Sequence, residues 1–452
     1  MTEFPLTSAD QASMNPPTRA PLWCGTALAL AAIFFVAEHE LQFSLLSDYQ
    51  PTSDQMERAA AGGNVLRQAA FLALAAMGGV FLIARSGPPL RPQGLLPWAV
   101  LLYVGWCLAS VLWSHEPAVT ARRAAVLLCA LVGALGVARR LSHRELCQVA
   151  AAVTLAFLGI GMCAELALGT FQPFSREYRF AGSVHPNTQG TYLATLCLAA
   201  LALRGASERG RWRYDVLLCT GLAFLVLTRS RTSLACTLLA LAVVWSPMAP
   251  RRLSVGSWLA GAWIVNVAAI VMLFLPDNLL DEIAQVALLG RSEEWESLNG
   301  RIPLWSELFG YIHQRPLLGF GYGAFWTPGH IYEVSREVEW PVCLAHSAYL
   351  ETLLDVGAIG TALLGAVVAL SVGRAARRLR SDPAHGFILG LLIYAAVSSG
   401  IESTMVTPLF VPFIIVCGIN QLAFQGASDA EDRRSPIGRV AAPSGNGENH
   451  GG

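Results

Sequence analysis

The sequence of 452 residues is poor in charged side chains and contains no lysine, so all 31 of its basic residues are arginine. Charged residues make up 14% of the chain, whereas a soluble domain carries about 25%. Hydrophobic residues make up 54%. This shortage of charge, together with the apolar content, excludes an ordinary soluble fold and indicates an integral membrane protein.

The sequence also lacks a net charge, paired cysteines and a cleavable signal peptide. The formal net charge is zero, so bulk charge gives no sign of a nucleic-acid partner and we predict none. The ten cysteines show neither paired nor metal-ligand spacing, so we predict no disulfide, no metal site and no cofactor. Only Arg19 precedes the first apolar run, and Glu38, His39 and Glu40 follow it without a small-residue cleavage site. We therefore interpret this run as a retained helix rather than a signal peptide.

Long apolar runs, by contrast, are abundant and evenly spread. A bilayer core of about 30 Å needs about 20 apolar residues in a helix. By this measure the sequence predicts an all-α polytopic membrane protein with about 12 transmembrane helices. The predicted spans are residues 22–38, 67–84, 95–113, 121–138, 148–168, 187–203, 214–228, 231–247, 254–275, 346–370, 385–400 and 407–424.

The distribution of arginine predicts the orientation. With the N-terminus inside, 19 of the 31 arginines fall on the inner side, as the positive-inside rule requires. Both termini are then cytoplasmic, and the tail has the composition of a disordered segment. The predicted organisation is a cytoplasmic segment over 1–21, helices 1–9 over 22–275, a large, partly helical periplasmic loop over 276–345, helices 10–12 over 346–424 and a disordered cytoplasmic tail over 425–452.

Several arginines lie on the predicted outer side, against this trend. Arginine at membrane depth is costly and usually has a partner, and its planar fork matches phosphate oxygens. Taken singly, each could reach lipid headgroups or pair with acidic loop residues. Taken together, they suit a diphosphate. These residues are Arg122, Arg123, Arg179, Arg229, Arg231 and Arg301.

The stretch from Arg179 to Asn187 reads Arg-Phe-Ala-Gly-Ser-Val-His-Pro-Asn. Pro186 indicates a tight entry into the sixth span, and Asn187 is predicted to cap that helix. A turn and a cap explain these two residues but leave Arg179 and His185 unexplained.

The outer loop carries a predicted surface helix that Arg301 opens. The glycine-rich stretch 319–323 that follows does not come after a strand, so a dinucleotide site is disfavoured. We predict instead a backbone turn packed against the membrane domain. The apolar face of the helix consists of Leu304, Trp305, Leu308, Phe309 and Ile312.

His346 begins the tenth predicted span, where the long loop returns to the bilayer. A histidine there can exchange a proton near neutral pH, although a helix-capping or interface role is the alternative. Glu351 lies five residues on, about 140° around a helix, so the spacing does not require the two side chains to pair.

Together these pieces resemble the bacterial O-antigen ligase and polymerase family, including its exopolysaccharide polymerases. The resemblance covers residues 95–420. The matching motifs, in family order, are Arg-Phe-x-Gly with a following His-Pro-Asn at 179–187, Ser-Arg-Thr at 230–232, Gly-Arg-x-x-x-Trp at 300–305, Pro-Leu-Leu-Gly-x-Gly at 316–321, and His-x-x-Tyr-Leu at 346–350 followed by Gly-Ala-Ile-Gly at 357–360. The usual His-Asn of the family is His346-Ser347 here.

The resemblance implies a GT-C-like, metal-independent, inverting glycosyltransferase that takes glycan from an undecaprenyl-diphosphate-linked oligosaccharide at the outer face of the bacterial inner membrane. It implies that Arg301 and His346 act in catalysis, His346 by activating the acceptor hydroxyl or supporting the departing diphosphate. The implied donor-binding residues are Arg179, Arg231, Arg229, Arg122 and Arg123, and the implied supporting residues are His185, Asn187, Trp305 and Glu351.

Three functions remain open at this point. The first is a polymerase of O-antigen or exopolysaccharide, with a growing glycan as acceptor and with a chain-length regulator and a flippase as partners. The second is a ligase that moves glycan onto lipid A core or a protein. The third is a transporter of an anionic solute, which is disfavoured because repeated halves and broken midplane helices are not evident in the sequence.

Overall fold

The computed structural model describes residues 21–39, 56, 64–84, 89–175, 178–245 and 294–424, with backbone alone for 294–300. Within these ranges the chain is helical and forms no strand. The predicted ninth span, 254–275, and the predicted tail lie outside the described residues. The helices are α1 Leu22–Glu38, α2 Val65–Ile83, α3 Leu96–Ala109, α4 Pro117–Arg140, α5 His143–Leu168, α6 Pro186–Gly205, α7 Arg211–Leu227, α8 Arg231–Trp245, α9 Glu294–Gln314, α10 Pro328–Glu337, α11 Ala348–Arg378, α12 His385–Ser398 and α13 Phe410–Phe424.

Four of the described helices, α2, α4, α5 and α11, are long and apolar enough to cross a membrane. Five shorter apolar segments accompany them: α1, α3 with its 3₁₀ extension to Leu112, α8, α12 and α13. The all-helical membrane fold is therefore confirmed. The count of 12 spans and the GT-C-like architecture stay predictions.

The helices run up and down between two ends of the molecule. At one end, which we call the loop end because α9 and α10 lie there, the carboxylate of Glu38 accepts hydrogen bonds from Tyr192 Oη at 2.5 Å and from the backbone N–H of Phe410 at 2.9 Å. At the opposite end, the backbone N–H of Arg91 donates to the carbonyl of Phe424 at 3.0 Å, and Arg374 donates to Gln93.

This opposite end, the arginine end, collects most of the basic side chains of the described helices. The positive-inside rule would place such an end in the cytoplasm, and the orientation of the chain stays a prediction. The arginines at this end are Arg91, Arg139, Arg140, Arg144, Arg204, Arg209, Arg211, Arg213, Arg374, Arg377, Arg378 and Arg380.

Helix α11 breaks at Gly357, where φ is 65° and ψ is −173°. A break exposes backbone groups that lipid cannot satisfy, and the loop before α10 satisfies them here. The carbonyls of Leu354 and Asp355 accept from the N–H groups of Phe320 and Gly321, both at 2.8 Å. The N–H of Ala358 donates to the carbonyl of Pro316 at 2.8 Å. The indole N–H of Trp106 on α3 donates to Val356, the remaining carbonyl at the break, at 3.0 Å.

These bonds confirm that the glycine-rich stretch is a turn packed against the membrane domain. They also change the predicted tenth span, 346–370. The helix begins at Ala348, two residues later than expected, and consists of two segments joined at Gly357. The break was hidden in the sequence because Gly357 lies in a continuous apolar run.

The surface helix also differs from the prediction. Helix α9 begins at Glu294, so Arg301 lies within it rather than opening it. Leu304, Trp305 and Leu308 are buried, as expected, in a cluster with residues of α10 and α11, but Phe309 is 46% exposed. The apolar face therefore packs on protein, and its position relative to the membrane surface stays a prediction.

Replacing Gly357 by alanine should destabilise the protein by about 3 kcal/mol, because a non-glycine residue is strained in this conformation and a Cβ would overlap the carbonyl of Leu317. Thermal unfolding of the purified protein in detergent would measure this. Gly365→Ala is the matched control, since nothing lies within 4 Å of a Cβ there. Equal melting temperatures for the two variants would contradict the role of the break.

Candidate functional site

Five separate segments of the chain meet at the loop end. They are the residues that lead into α6, the turn between α7 and α8, the middle of α9, the residues before α11 and the turn between α12 and α13. Each contributes polar or charged side chains. Charged groups at this depth are costly unless they are paired, so their contacts define the site.

A continuous chain of polar contacts links two of the predicted arginines. The guanidinium of Arg179 donates to Asn187 Oδ1 at 3.1 Å, and Asn187 Nδ2 donates to Glu402 Oε1 at 3.0 Å. The same carboxylate oxygen lies 3.9 Å from Arg301 Nη2. Arg179 and Arg301, which are 122 residues apart in sequence, are thus joined through one amide and one carboxylate.

His185, not Asn187, caps α6. The helix begins at Pro186, and the His185 ring accepts a hydrogen bond from the backbone N–H of Asn187 at 3.2 Å. The prediction that Asn187 is the cap is therefore wrong. Proline is favoured at the first helical position because it needs no N–H partner there, and this places Asn187 one residue inside the helix. Its amide is then available to bridge Arg179 and Glu402.

His346 lies two residues before α11 with a φ of 51°, a left-handed conformation that is uncommon for residues other than glycine. The preceding residue, Ala345, is fixed on both sides. Its N–H donates to Glu351 Oε1 at 2.6 Å, and its carbonyl accepts from the indole N–H of Trp305 at 2.8 Å. Such strain persists where the surroundings enforce it, so the turn at His346 is held in place by its neighbours.

Trp305 and Glu351 are therefore supports of the His346 turn rather than partners of its ring. The buried carboxylate of Glu351 also accepts from Trp326 Nε1 at 2.8 Å and from Ser403 Oγ at 3.3 Å. The expectation that Glu351 and His346 need not pair agrees with these contacts.

Arg231 begins α8, three residues after Thr228, whose carbonyl accepts from Arg179 Nε at 3.2 Å. This short separation keeps Arg231 close to the polar chain. Arg229 differs from it, because its guanidinium donates to the carbonyl of Ser175 at 3.0 Å. Arg229 has a strained φ of 51°, and its side-chain bond to Ser175 restrains the turn that carries Arg231.

Arg122 and Arg123 lie in the first turns of α4. The side chain of Arg123 covers Gly323, and its charge interacts with the carboxylates of Asp355 and Glu351 on α11. Arg123 is thus associated with the broken helix rather than with Glu402. The structure brings these two residues to the loop end but gives them no contact with Arg179 or Arg301 within the described part of the chain.

Glu402 is the residue of this site that was not predicted from the sequence. An acidic residue in a short outer turn between two apolar helices was the available signal, since outer arginines need counter-charges. Trp340 is half-buried, and its ring centroid lies 5.8 Å from that of His346. The positive φ of the adjacent Glu339, 62°, is visible only in the structure.

Burial and the arginines set the protonation of the site. Burial, with the charge of Arg179, lowers the pKa of His185 to about 4. Burial, with the charges of Arg301 and His185, lowers the pKa of His346 to about 4. Burial raises the pKa of Glu402, whereas Arg301 and Arg179 oppose that rise. At neutral pH both imidazoles are therefore neutral, and the guanidinium groups carry the positive charge.

This arrangement has two chemical capacities. Guanidinium groups on neighbouring segments can bind phosphate oxygens with charge-assisted hydrogen bonds, and a neutral imidazole beside them can accept a proton. Trp340 adds an aromatic surface next to that imidazole. These capacities suit a phosphate-bearing substrate and a hydroxyl group that loses its proton.

Comparisons with known proteins find two similarities. Residues 216–365 match the family model described as O-antigen ligase, a range that includes Arg231, Arg301 and His346 but neither Arg179 nor Glu402. The chain is 25% identical over 371 residues to "Exopolysaccharide production protein ExoQ" of Rhizobium meliloti (strain 1021). That alignment covers 77% of this chain and 82% of the relative.

The two histidines predict how stability depends on pH. Their pKa values are about 4 in the folded protein and about 6.5 in an unfolded chain, so between these values the unfolded chain binds more protons. The free energy of unfolding should therefore fall as pH is lowered from 6.5 to 4 and should not change through these groups above 6.5.

Replacing both residues by asparagine should flatten that dependence, because asparagine does not titrate, caps helices well and tolerates a positive φ. The measurement is thermal unfolding of the His185→Asn, His346→Asn double variant in detergent between pH 4 and 7.5. His313→Asn, at an exposed position on α9, is the control. An unchanged slope in the double variant would argue against buried neutral histidines.

Proposed function

We propose that this chain is a membrane glycosyltransferase of the O-antigen ligase and polymerase family, which polymerises glycan from a polyprenyl-diphosphate-linked oligosaccharide. The match of residues 216–365 to the family model and the similarity to the Rhizobium meliloti protein support this proposal. The observation that carries the proposal is the chain of contacts from Arg179 through Asn187 and Glu402 to Arg301, with a neutral His346 beside it.

The donor's diphosphate is the group that the arginines would hold. Its negative charge rises as the sugar leaves, and donors already oriented toward that charge stabilise the transition state. Arg179 and Arg301 are fixed by their contacts, and Arg231 enters from α8. The guanidinium groups supply positive charge in a water-poor setting, where charge interactions are stronger, so we propose that the reaction needs no metal. The undecaprenyl chain would extend into the surrounding lipid.

The transfer would be a single displacement with inversion. The acceptor oxygen forms a bond to the anomeric carbon from the face opposite the diphosphate, and the bond between that carbon and the diphosphate oxygen breaks. The electron pair of the broken bond goes to the diphosphate. The acceptor's proton passes to the neutral ring of His346, which general-base catalysis requires within hydrogen-bonding reach.

The choice of acceptor separates the two closest functions. The relative from Rhizobium meliloti is named an exopolysaccharide production protein, which favours a polymerase whose acceptor is another glycan. The family model is described as O-antigen ligase, which favours transfer to lipid A core or a protein as the second candidate.

We place the reaction at the outer leaflet of the bacterial inner membrane, with both termini in the cytoplasm. The grouping of basic residues at the arginine end supports this orientation, in which the candidate site would lie on the periplasmic side. A flippase that delivers the donor and a chain-length regulator are the partners that such a polymerase would need.

Reconstitution tests the proposal. The purified protein in detergent is supplied with a polyprenyl-diphosphate oligosaccharide in the presence of EDTA, and products are separated on a gel. We expect wild type to make a ladder. Arg301→Ala should lose about 100-fold or more in rate, the size typical for losing a donor to developing charge, and His346→Ala should lose about 100-fold or more because it removes the general base. Arg336→Ala, which removes an exposed arginine of α10, should keep full activity.

The acceptor experiment assigns the product. A ladder from donor alone identifies a polymerase, whereas product that requires added lipid A core or protein identifies a ligase. Equal rates for Arg301→Ala and Arg336→Ala would remove Arg301 from the site. No transfer to any acceptor, with transport of an anionic solute into vesicles instead, would overturn the enzyme proposal.

A further inference from the structure

Glu402 lies in the turn between α12 and α13 and is the acidic group at the centre of the polar chain. Its side chain and that of Arg301 are each 16% exposed. Its carboxylate accepts from Asn187 Nδ2 at 3.0 Å. The same amide binds Arg179, which donates to Asn187 Oδ1. A single carboxylate thus serves two guanidinium groups, with Arg231 nearby on α8.

The two contacts of Glu402 differ in strength. The bond to Asn187 has ordinary hydrogen-bond length, whereas the 3.9 Å separation from Arg301 Nη2 is an ion pair without a hydrogen bond. The short contact of Arg301 is instead to the carbonyl of Ile401 at 2.7 Å. Another anion can therefore approach Arg301 without breaking a tight ion pair.

The backbone of this turn is fixed more firmly than the side chain. The carbonyls of Ser399 and Glu402 accept from the N–H of Ala348, the first residue of α11, at 2.9 and 3.1 Å. The turn is consequently tied to the start of the helix that follows His346. A rotation of the Glu402 side chain could release the arginine without moving that helix.

We infer that Glu402 is the internal counter-anion of Arg179 and Arg301, and that it gives up Arg301 to the diphosphate of the donor. The inference rests on the proposed function and deepens it. Glu402 is a positioning residue: it keeps two like charges in place before the donor binds and opposes diphosphate binding through its own negative charge.

If Glu402 is a counter-anion, removing its charge should strengthen pyrophosphate binding. If Glu402 only supports the structure, the same change should weaken binding or leave it unchanged. Glu402→Gln keeps an oxygen that can accept from Asn187 but removes the charge. Since two unit charges several ångströms apart in a partly buried site interact strongly, this variant should bind inorganic pyrophosphate about tenfold more tightly than wild type. Glu402→Asp, which keeps the charge, should bind within about twofold of wild type.

Titration calorimetry of the full-length protein in detergent, with EDTA present, measures this affinity for pyrophosphate. Glu337→Gln makes the same charge change at an exposed position of α10 and should leave the affinity unchanged. In the transfer assay, Glu402→Gln should lower both KM for the donor and kcat, because the donor is held more tightly and Arg301 is less well oriented. Loss of stability alone would not lower KM.

Arg301→Ala separates failure of the inference from failure of the proposed function. If Arg301→Ala abolishes pyrophosphate binding and Glu402→Gln tightens it, both stand. If Arg301→Ala abolishes binding but Glu402→Gln weakens it or leaves it unchanged, the counter-anion role is wrong and the donor site stands. If Arg301→Ala has no effect, the donor site itself is wrong and the inference falls with it.

Discussion

The break of α11 at Gly357 is the constraint on which the rest of the loop end depends. A helix interrupted at membrane depth must find partners for its freed backbone groups. Here residues 316–321 supply the hydrogen-bond partners of the carbonyls of Leu354 and Asp355 and of the N–H of Ala358. The loop is thereby fastened to the membrane domain along its backbone, whatever its side chains contribute. Because α9 precedes that segment and α10 follows it, the break also determines where Arg301 and Trp326 can lie.

The first half of α11 connects the break to the turn at His346 and restrains that turn. Glu351, six residues before the break, holds the N–H of Ala345 and the indole of Trp326 with the same carboxylate. Ala348 is held in turn by the carbonyls of Ser399 and Glu402. The turn at His346 is therefore restrained from the loop and from the turn between α12 and α13 together. Its unusual φ is a consequence of these restraints, and rigid placement of a reacting group is what transfer chemistry needs.

The helical membrane fold could be predicted from the sequence because it follows from local patterns, and the outer arginines could be proposed as site residues for the same reason. Apolar runs about 20 residues long predict transmembrane helices. Arginines on the predicted outer side depart from the positive-inside rule and so indicate a binding site. Glu402 and the break at Gly357 escaped because their roles depend on contacts between distant segments. Asn187 was misassigned for a related reason: its sequence context suits a cap, and only its contacts with Arg179 and Glu402 reveal another use.

The electrostatics of the site imply an order of events in the proposed reaction. Burial lowers the pKa of His346, and the charge of Arg301 lowers it further, so the imidazole alone is a weak base. A diphosphate bound to Arg301 would neutralise part of that charge and raise the basicity of His346. The base would then become effective when the donor is in place, and an acceptor hydroxyl arriving earlier would keep its proton. The same arginine that binds the leaving group would in this way delay proton transfer until a leaving group is present.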